Sequence, residues 1–213
     1  MTRKADPTLP RKIVEQARDI AVHAGPQALN MRDIAARLGI SATAIYSYYE
    51  SKDRLLLELK LEAAEMLNAR IRGLEQEHDA MEALRRLGEE YVSFAAEHPN
   101  LYRLMFETQV GDQPVGEREH PVLYYTYRTA RRLLERLREQ GLVPHDPRYG
   151  AMMGWIMLHG FCSLMWSGSL QLAEGMNREQ LKDIFLRFYC AGGHTGWEAQ
   201  EGPAGLPSPK EET

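Results

Sequence analysis

The sequence predicts an all-α protein, with an N-terminal three-helix helix-turn-helix domain followed by a larger helical body. Three observations carry that expectation. Apolar residues recur at helical three-and-four spacing along most of the chain. No run alternates with period two for long enough to make a strand. Glycines, prolines and capping residues separate the apolar runs. With 213 residues, 44% of them hydrophobic and 26% charged, the chain has material for one or two cores.

Taken in order, Ile13, Ala17, Ile20, Ala21 and Ala24 mark a first helix, which Gly25-Pro26 stops. Asn30 caps a second, with Asp33 in its first turn and Ile34, Ala35 and Leu38 as its inner face. Gly39 breaks the chain, and Ser41 caps a short third helix that turns Ile45 and Tyr49 inward. Ser51 caps a fourth, running through Leu55, Leu56 and Leu59 to about Arg72. Further helices are expected over 78–97, 100–108, 118–140, 147–172 and 177–190, parted by Gly73, His98-Pro99, Gly111 to Gly116 and Pro144–Pro147. From Ala191 onward Gly, Pro, Ser and Glu crowd together without periodicity, so 191–213 reads as a disordered tail, with Trp197 unexplained inside it. The expected organisation is an N-terminal domain over 7–67, its helix-turn-helix at about 30–49, and a body over 75–190.

The net charge of −4 gives no nucleic-acid signature, but its distribution does. Residues 1–54 hold nine Lys/Arg against six Asp/Glu, which leaves 17 against 24 of the chain totals of 26 and 30. A basic head on an acidic body suits contact with phosphates at one end. Cys162 and Cys190 have neither disulfide-framework nor zinc spacing and read as buried thiols. The N-terminal MTRKADPTLPRK lacks a signal peptide's apolar stretch, so a reducing cytoplasm is the expected compartment. Arg3 and Lys4 read as a solvated tail ahead of a minor-groove arm. Gly150 to Ala173 carries no Asp, Glu, Lys or Arg, yet its His, Ser, Gln and Gly content and the lack of a basic flank favour a helix buried between subunits over a membrane span.

The segment Asn30 to Lys52, NMRDIAARLGISATAIYSYYESK, is two short capped helices joined by a glycine turn. Ile34, Ala35, Leu38, Ile40, Ile45 and Tyr49 can share one small core, which frees the other face of the second helix for a major groove about 12 Å wide. Ser41, Ala42, Thr43, Ala44 and Ser47 are small enough to let the backbone approach base edges. Tyr46 and Tyr48 flank them with phenolic hydroxyls, and Lys52 opens the next helix beside its free N–H groups. Arg32 and the Asn30 cap can serve the neighbouring strand. Phosphate contacts of this kind position the reader, while the small residues specify sequence.

On these residues the run from Arg11 to Leu55 resembles the DNA-binding domain of TetR-type transcriptional regulators. The matching positions are Ile13, Ala17, Ile20, Gly25, Ile34-Ala35, Gly39-Ile40-Ser41, Ile45-Tyr46, Tyr49, Ser51-Lys52-Asp53 and Leu55. Asn30 stands for the usual threonine cap, Ala21 for an aromatic, Ala44 for a glycine and Tyr48 for a histidine, and the added methyl of Ala44 puts base preference beyond carry-over. In the body, His98-Pro99-Asn100-Leu101-Tyr102-Arg103-Leu104-Met105-Phe106 and Trp155-Ile156-Met157-Leu158-His159-Gly160-Phe161 resemble the Trp-His-Gly subgroup of TetR C-terminal domains. The resemblance implies a body that binds a small-molecule effector and dimerises through the helices at about 147–172 and 177–190.

Tyr91, Phe94, Tyr102, Met105, Phe106, Tyr124, Trp155, His159 and Trp166 are the candidate pocket residues; the bland alternative is that they fill the core, since pockets use few of the apolar side chains near them. The expected function is a homodimeric repressor that leaves a palindromic double-stranded DNA operator when a small apolar or aromatic ligand binds. The competing class is a helical small-molecule carrier or enzyme that has lost DNA binding. Against catalysis, the sequence has no G-x-S-x-G, H-E-x-x-H, P-loop or Cys-x-x-Cys, and its seven histidines form no metal-spaced pair, so neither cofactor nor metal is expected.

Overall fold

The computed structural model describes residues 6–108, 120–167, 172 and 175–190, apart from the side chains of His120 and Cys190. Arg3 and Lys4, the Gly111–Gly116 connection, residues 168–171 and the 191–213 tail with Trp197 lie outside the described residues. Among those described there is no strand. The helices are α1 (Leu9–Ala24), α2 (Met31–Arg37), α3 (Ala42–Tyr46), α4 (Lys52–Ile71), α5 (Ala80–Glu97), α6 (Pro99–Phe106), α7 (His120–Leu123), α8 (Tyr125–Glu139), α9 (Pro147–Trp166) and α10 (Arg178–Cys190). Short 3₁₀ turns fill Pro26–Ala28 and Leu74–Gln76.

Two helices differ from expectation. The run at 118–140 breaks at Tyr124 into α7 and α8. Side chains occupy the carbonyls just before the break: the Asn68 amide donates to the Val122 carbonyl at 2.9 Å, and the Arg128 guanidinium donates to that of Pro121. Helix α9 ends at Trp166 rather than 172, where the Ser167 N–H closes the last turn on the Ser163 carbonyl at 3.0 Å. No described helix is long and apolar enough to cross a membrane.

The chain divides into two compact units, one drawn from Met1–Arg72 and Ser93–Arg128, the other from Gly73–Val92 and Thr129–Thr213. Residues 93–128 join the N-terminal segment because α6 packs on α1 and α4, and α7 packs on α4. In the first unit Ile13, Ala17, Ile20 and Ala21 of α1 are buried with Ile34 and Ala35 of α2 and Ile45 of α3. Helix α4 buries Leu55, Leu56, Leu57, Leu59, Ala63, Ala64, Leu67, Asn68 and Ile71, residues from every side of it, because α1, α6 and α7 all pack against it. Arg18 on α1 grips Glu62 on α4 through two hydrogen bonds of 2.9 Å each, a bidentate geometry that fixes direction as well as distance.

In the second unit, Tyr189 of α10 lies between two glycines. A Cβ on Gly88 of α5 would stand 2.9 Å from its ring, and one on Gly154 of α9 would stand 3.3 Å away. Both positions are therefore glycine for space, since neither has the left-handed backbone that also demands it. Phe161 and Phe185 stack at 4.0 Å, and Asn177 and Gln180 cap the start of α10 reciprocally. Asp146 accepts from the Arg148 N–H at 2.8 Å to cap α9, and the Arg148 guanidinium closes on the same carboxylate.

Candidate nucleic-acid interface

Local chemistry builds the α2–α3 segment one cap at a time. The Asn30 carboxamide oxygen accepts the Arg32 N–H at 2.9 Å and starts α2. At the other end the Ile40 N–H bonds the Ala35 carbonyl at 3.0 Å and the Gly39 N–H bonds that of Ala36 at 3.1 Å. This is a Schellman closure, and it requires the left-handed φ of +64° that Gly39 supplies without strain. Ser41 then accepts the Ala44 N–H at 3.2 Å to start α3, and Ser51 accepts the Arg54 N–H at 3.1 Å to start α4. Each such cap stabilises by roughly 1 kcal/mol, and together they hold elements too short to persist alone.

Ile45 anchors α3, with no exposed surface. Tyr49 follows it inward and is half-buried; that burial, with the negative charges of Glu58 and Glu62 nearby, pushes its phenol above the ordinary range. The remaining positions turn out. Ser41, Thr43 and Ser47 are exposed, Tyr46 is 49% exposed and Tyr48 37%, while Ala42 and Ala44 are half-buried. The Ser47 hydroxyl donates to the Ala44 carbonyl at 2.7 Å, so its oxygen lone pairs are what it presents outward. Lys52 stands half-exposed in the first turn of α4, and Asn30 and Arg32 are exposed at the start of α2. Among the described residues, the Lys52 ammonium and the Arg32 guanidinium have no ion pair. Small side chains, hydroxyl-bearing and phenolic groups and two uncommitted cations are thus wholly or partly exposed along the capped run from Asn30 to Lys52.

Family comparison accounts for both parts of the chain. The model described as "Bacterial regulatory proteins, tetR family" matches residues 13–59, and one described as "Tetracyclin repressor-like, C-terminal domain" matches residues 84–187. The chain belongs to the TetR family. It is a DNA-binding transcriptional regulator, and residues 13–59 contain the α2–α3 segment with all its caps. No curated protein matches the chain. Among solved structures it is similar to a protein of unknown function from Rhodococcus sp. RHA1, at 20% identity and TM-score 0.72 over 90% of this chain and 98% of that one. It is also similar to the TetR family transcriptional regulator PfmR from Thermus thermophilus, at 22% identity and TM-score 0.60 over 85% and 98%. A third is AibR in complex with isovaleryl coenzyme A and operator DNA, at 19% identity and TM-score 0.58 over 83% and 95%. At such identities these likenesses show the fold.

The candidate pocket residues of this TetR-family chain are distributed over both units. Phe94, Tyr102, Met105, Phe106 and Tyr124 belong to the first; Tyr91, Trp155, His159 and Trp166 belong to the second. Tyr91, Phe94 and Tyr102 are buried, whereas Tyr124 and Trp155 are exposed. Tyr102 and Phe106 touch ring to ring at 5.0 Å within α6, and Trp155 and His159 at 6.5 Å within α9. An open cleft of about 520 Å³ in the second unit is lined by Glu135, Arg138, Glu139, Asp146, Pro147 and Arg148, none of them a pocket candidate. Sequence reasoning missed the Arg18–Glu62 pair and a hydrogen bond from Asn100 to the Val22 carbonyl, because partners 44 and 78 residues apart leave no periodic signal.

Proposed function

We propose that this TetR-family chain is a homodimeric repressor whose α3 enters the major groove and whose grip on a palindromic operator is released by a small apolar or aromatic ligand. The observation that carries the reading is the outward presentation of Thr43, Tyr46, Ser47 and Tyr48 around the buried Ile45. In this reading Ala42, Thr43, Ala44 and Ser47 meet base edges, Ser47 as an acceptor. Tyr46 and Tyr48 donate to phosphate oxygens, and Arg32 and Lys52 neutralise phosphates beside the starts of α2 and α4, with Asn30 and Ser41 setting the starts of α2 and α3 against the backbone.

The body supports the homodimer through its own exposed surface. Tyr149, Met152, Met153, Ile156 and Leu164 form a stripe of exposed apolar side chains at helical spacing along α9, with Phe188 exposed on α10. Gly160 lies within that stripe, and a Cβ there would meet nothing within 4 Å. A second copy of α9 would cover the stripe and approach closely at Gly160. Two readers held this way would reach successive major grooves about 34–36 Å apart. AibR was solved with both isovaleryl coenzyme A and operator DNA; a ligand of partly apolar character acting on this chain would shift it only by its differential affinity for the bound and released arrangements. We also place Trp155, His159 and Gly160 in the Trp-His-Gly subgroup pattern, in a cytoplasmic protein with no catalytic role.

The test is duplex binding by the full chain and by Tyr46→Ala and Lys52→Ala variants, using the promoter region of its own gene. Each substitution weakens binding about tenfold, and Lys52→Ala flattens the salt dependence by about one unit. Unchanged affinity in both variants, with the fold intact, removes α3 and the start of α4 from the interface.

A further inference from the structure

Helix α1 ends with a carbonyl that its own helix cannot satisfy. The intrahelical donor for the Val22 carbonyl would be the N–H of residue 26, and Pro26 has none. The donor comes instead from α6: the Asn100 side-chain amide bonds that carbonyl at 2.8 Å. Asn100 sits in the first turn of α6, so the positive end of one helix dipole also meets the negative end of another.

The contact lies at a corner that matters for the reader. Past Val22 come Gly25, with φ of +83°, the 3₁₀ turn at Pro26–Ala28 against which α6 packs, and then Asn30, the cap of α2. One turn earlier on α1, Arg18 is held by Glu62 of α4. Positions 18 and 22 share a face of α1, so the helix is pinned along one line by α4 and by α6. The elbow that starts α6 is fixed in turn: Arg70 of α4 reaches Glu97 at 2.6 Å and His98 at 3.3 Å, with its guanidinium over the Phe94 ring.

Resting on the proposed reading of DNA by α3, we infer that Asn100 is the positioning residue that couples α6 to the reader, by capping the Val22 carbonyl that Pro26 leaves without a helical donor. A displacement of α6 pulls on this cap, and the corner leading into α2 and α3 follows. Asn100 touches no DNA; it sets where the corner rests.

The test uses the full chain carrying Asn100→Ala or Asn100→Asp. Hydrogen exchange is read across residues 20–31, and binding is read on the duplex from its own promoter region at several salt concentrations. Loss of one hydrogen bond of this kind predicts about fivefold faster exchange at the corner, with exchange in α9 unaltered. Duplex affinity falls by a similar factor at every salt concentration, leaving the slope unchanged, unlike the loss of a phosphate contact. Asn100→Asp is worse at neutral pH, since a carboxylate faces a carbonyl at a helix C-terminus. Its deficit relative to the unmodified chain shrinks toward about pH 4, where the protonated acid can donate again; a merely destabilising change shows no such rescue. Unaltered exchange at the corner in both variants overturns the cap, and a loosened corner with unaltered duplex affinity overturns the coupling. Failure of the unmodified chain itself to bind the duplex sinks the DNA reading instead, while the exchange measurement still judges the cap.

Discussion

The α3 surface and the α9 stripe are both exposed, and their chemistry is opposite. Around α3 the exposed groups are small or hydroxyl-bearing, with Thr43, Ser47 and the phenols of Tyr46 and Tyr48 standing over a single buried anchor, Ile45. Along α9 they are large and apolar, with Met153, Ile156 and Leu164 each more than half exposed. Exposure alone does not distinguish a partner, but the polarity of what is exposed does. Hydroxyls and uncommitted cations gain by meeting phosphates and base edges. Met, Ile and Leu side chains gain by leaving water, by roughly 1.5–3 kcal/mol for complete burial of an exposed one. These half-exposed side chains have about half of that still to gain. That difference is why the first surface is proposed to meet DNA and the second a copy of the same chain.

Ile156→Asp breaks that comparison with the largest effect. Its side chain is 53% exposed in the single chain, so the charge costs the fold little. It would be buried without a partner between two copies. The expected outcome is a monomer by sedimentation and a loss of about a hundredfold or more in duplex affinity, because the second reader no longer binds as part of the same molecule. A folded dimer would show that the stripe is not the interface. Gly160→Leu sharpens the same point. The site is open in the single chain and Leu is the better helix former, so the monomer gains slightly in stability. Dimerisation weakens about tenfold by overpacking against the facing helix, read as a shift in the concentration at which dimers form. Unaltered dimerisation would place the facing helix elsewhere.

The helical fold and the capped α2–α3 segment were legible in the sequence for the same reason: both depend on near neighbours. The Asn30, Ser41 and Ser51 caps and the Gly39 turn act over a few residues, and apolar spacing shows the inner faces directly. What escaped acts over long separations. The break at Tyr124 depends in part on the Asn68 amide, 54 residues before the Val122 carbonyl that it bonds, and the close approach of Tyr189 to Gly88 and Gly154 is visible only once three helices are assembled. Pocket residues are the hardest of all to read from a sequence. Aromatic and Met side chains serve a core and a cavity equally well, and the nine candidates prove to be divided between two compact units.

The smallest expected effect is a control outside both surfaces. The Arg148 side chain and N–H beside Asp146 hold its carboxyl at about 2, below its ordinary 3.8. A carboxyl depressed in the folded state stabilises above its unfolded pKa, and that contribution is lost as pH falls from about 4 toward 2. Asp146→Ala therefore lowers the melting temperature slightly near neutral pH, and the gap to the unmodified chain closes on acidification through that window. A gap independent of pH would mean that the cap at the start of α9 acts without its charge.

The most direct measurement is photocrosslinking of the full chain with an aryl azide phenylalanine placed at position 46 or, separately, at position 153, in the presence of duplex from its own promoter region. The expected result is a protein–DNA adduct from position 46 and a protein–protein adduct between two copies from position 153. A position-46 probe that captures protein alone while the chain is bound to the duplex would contradict the assignment of α3 as the reader.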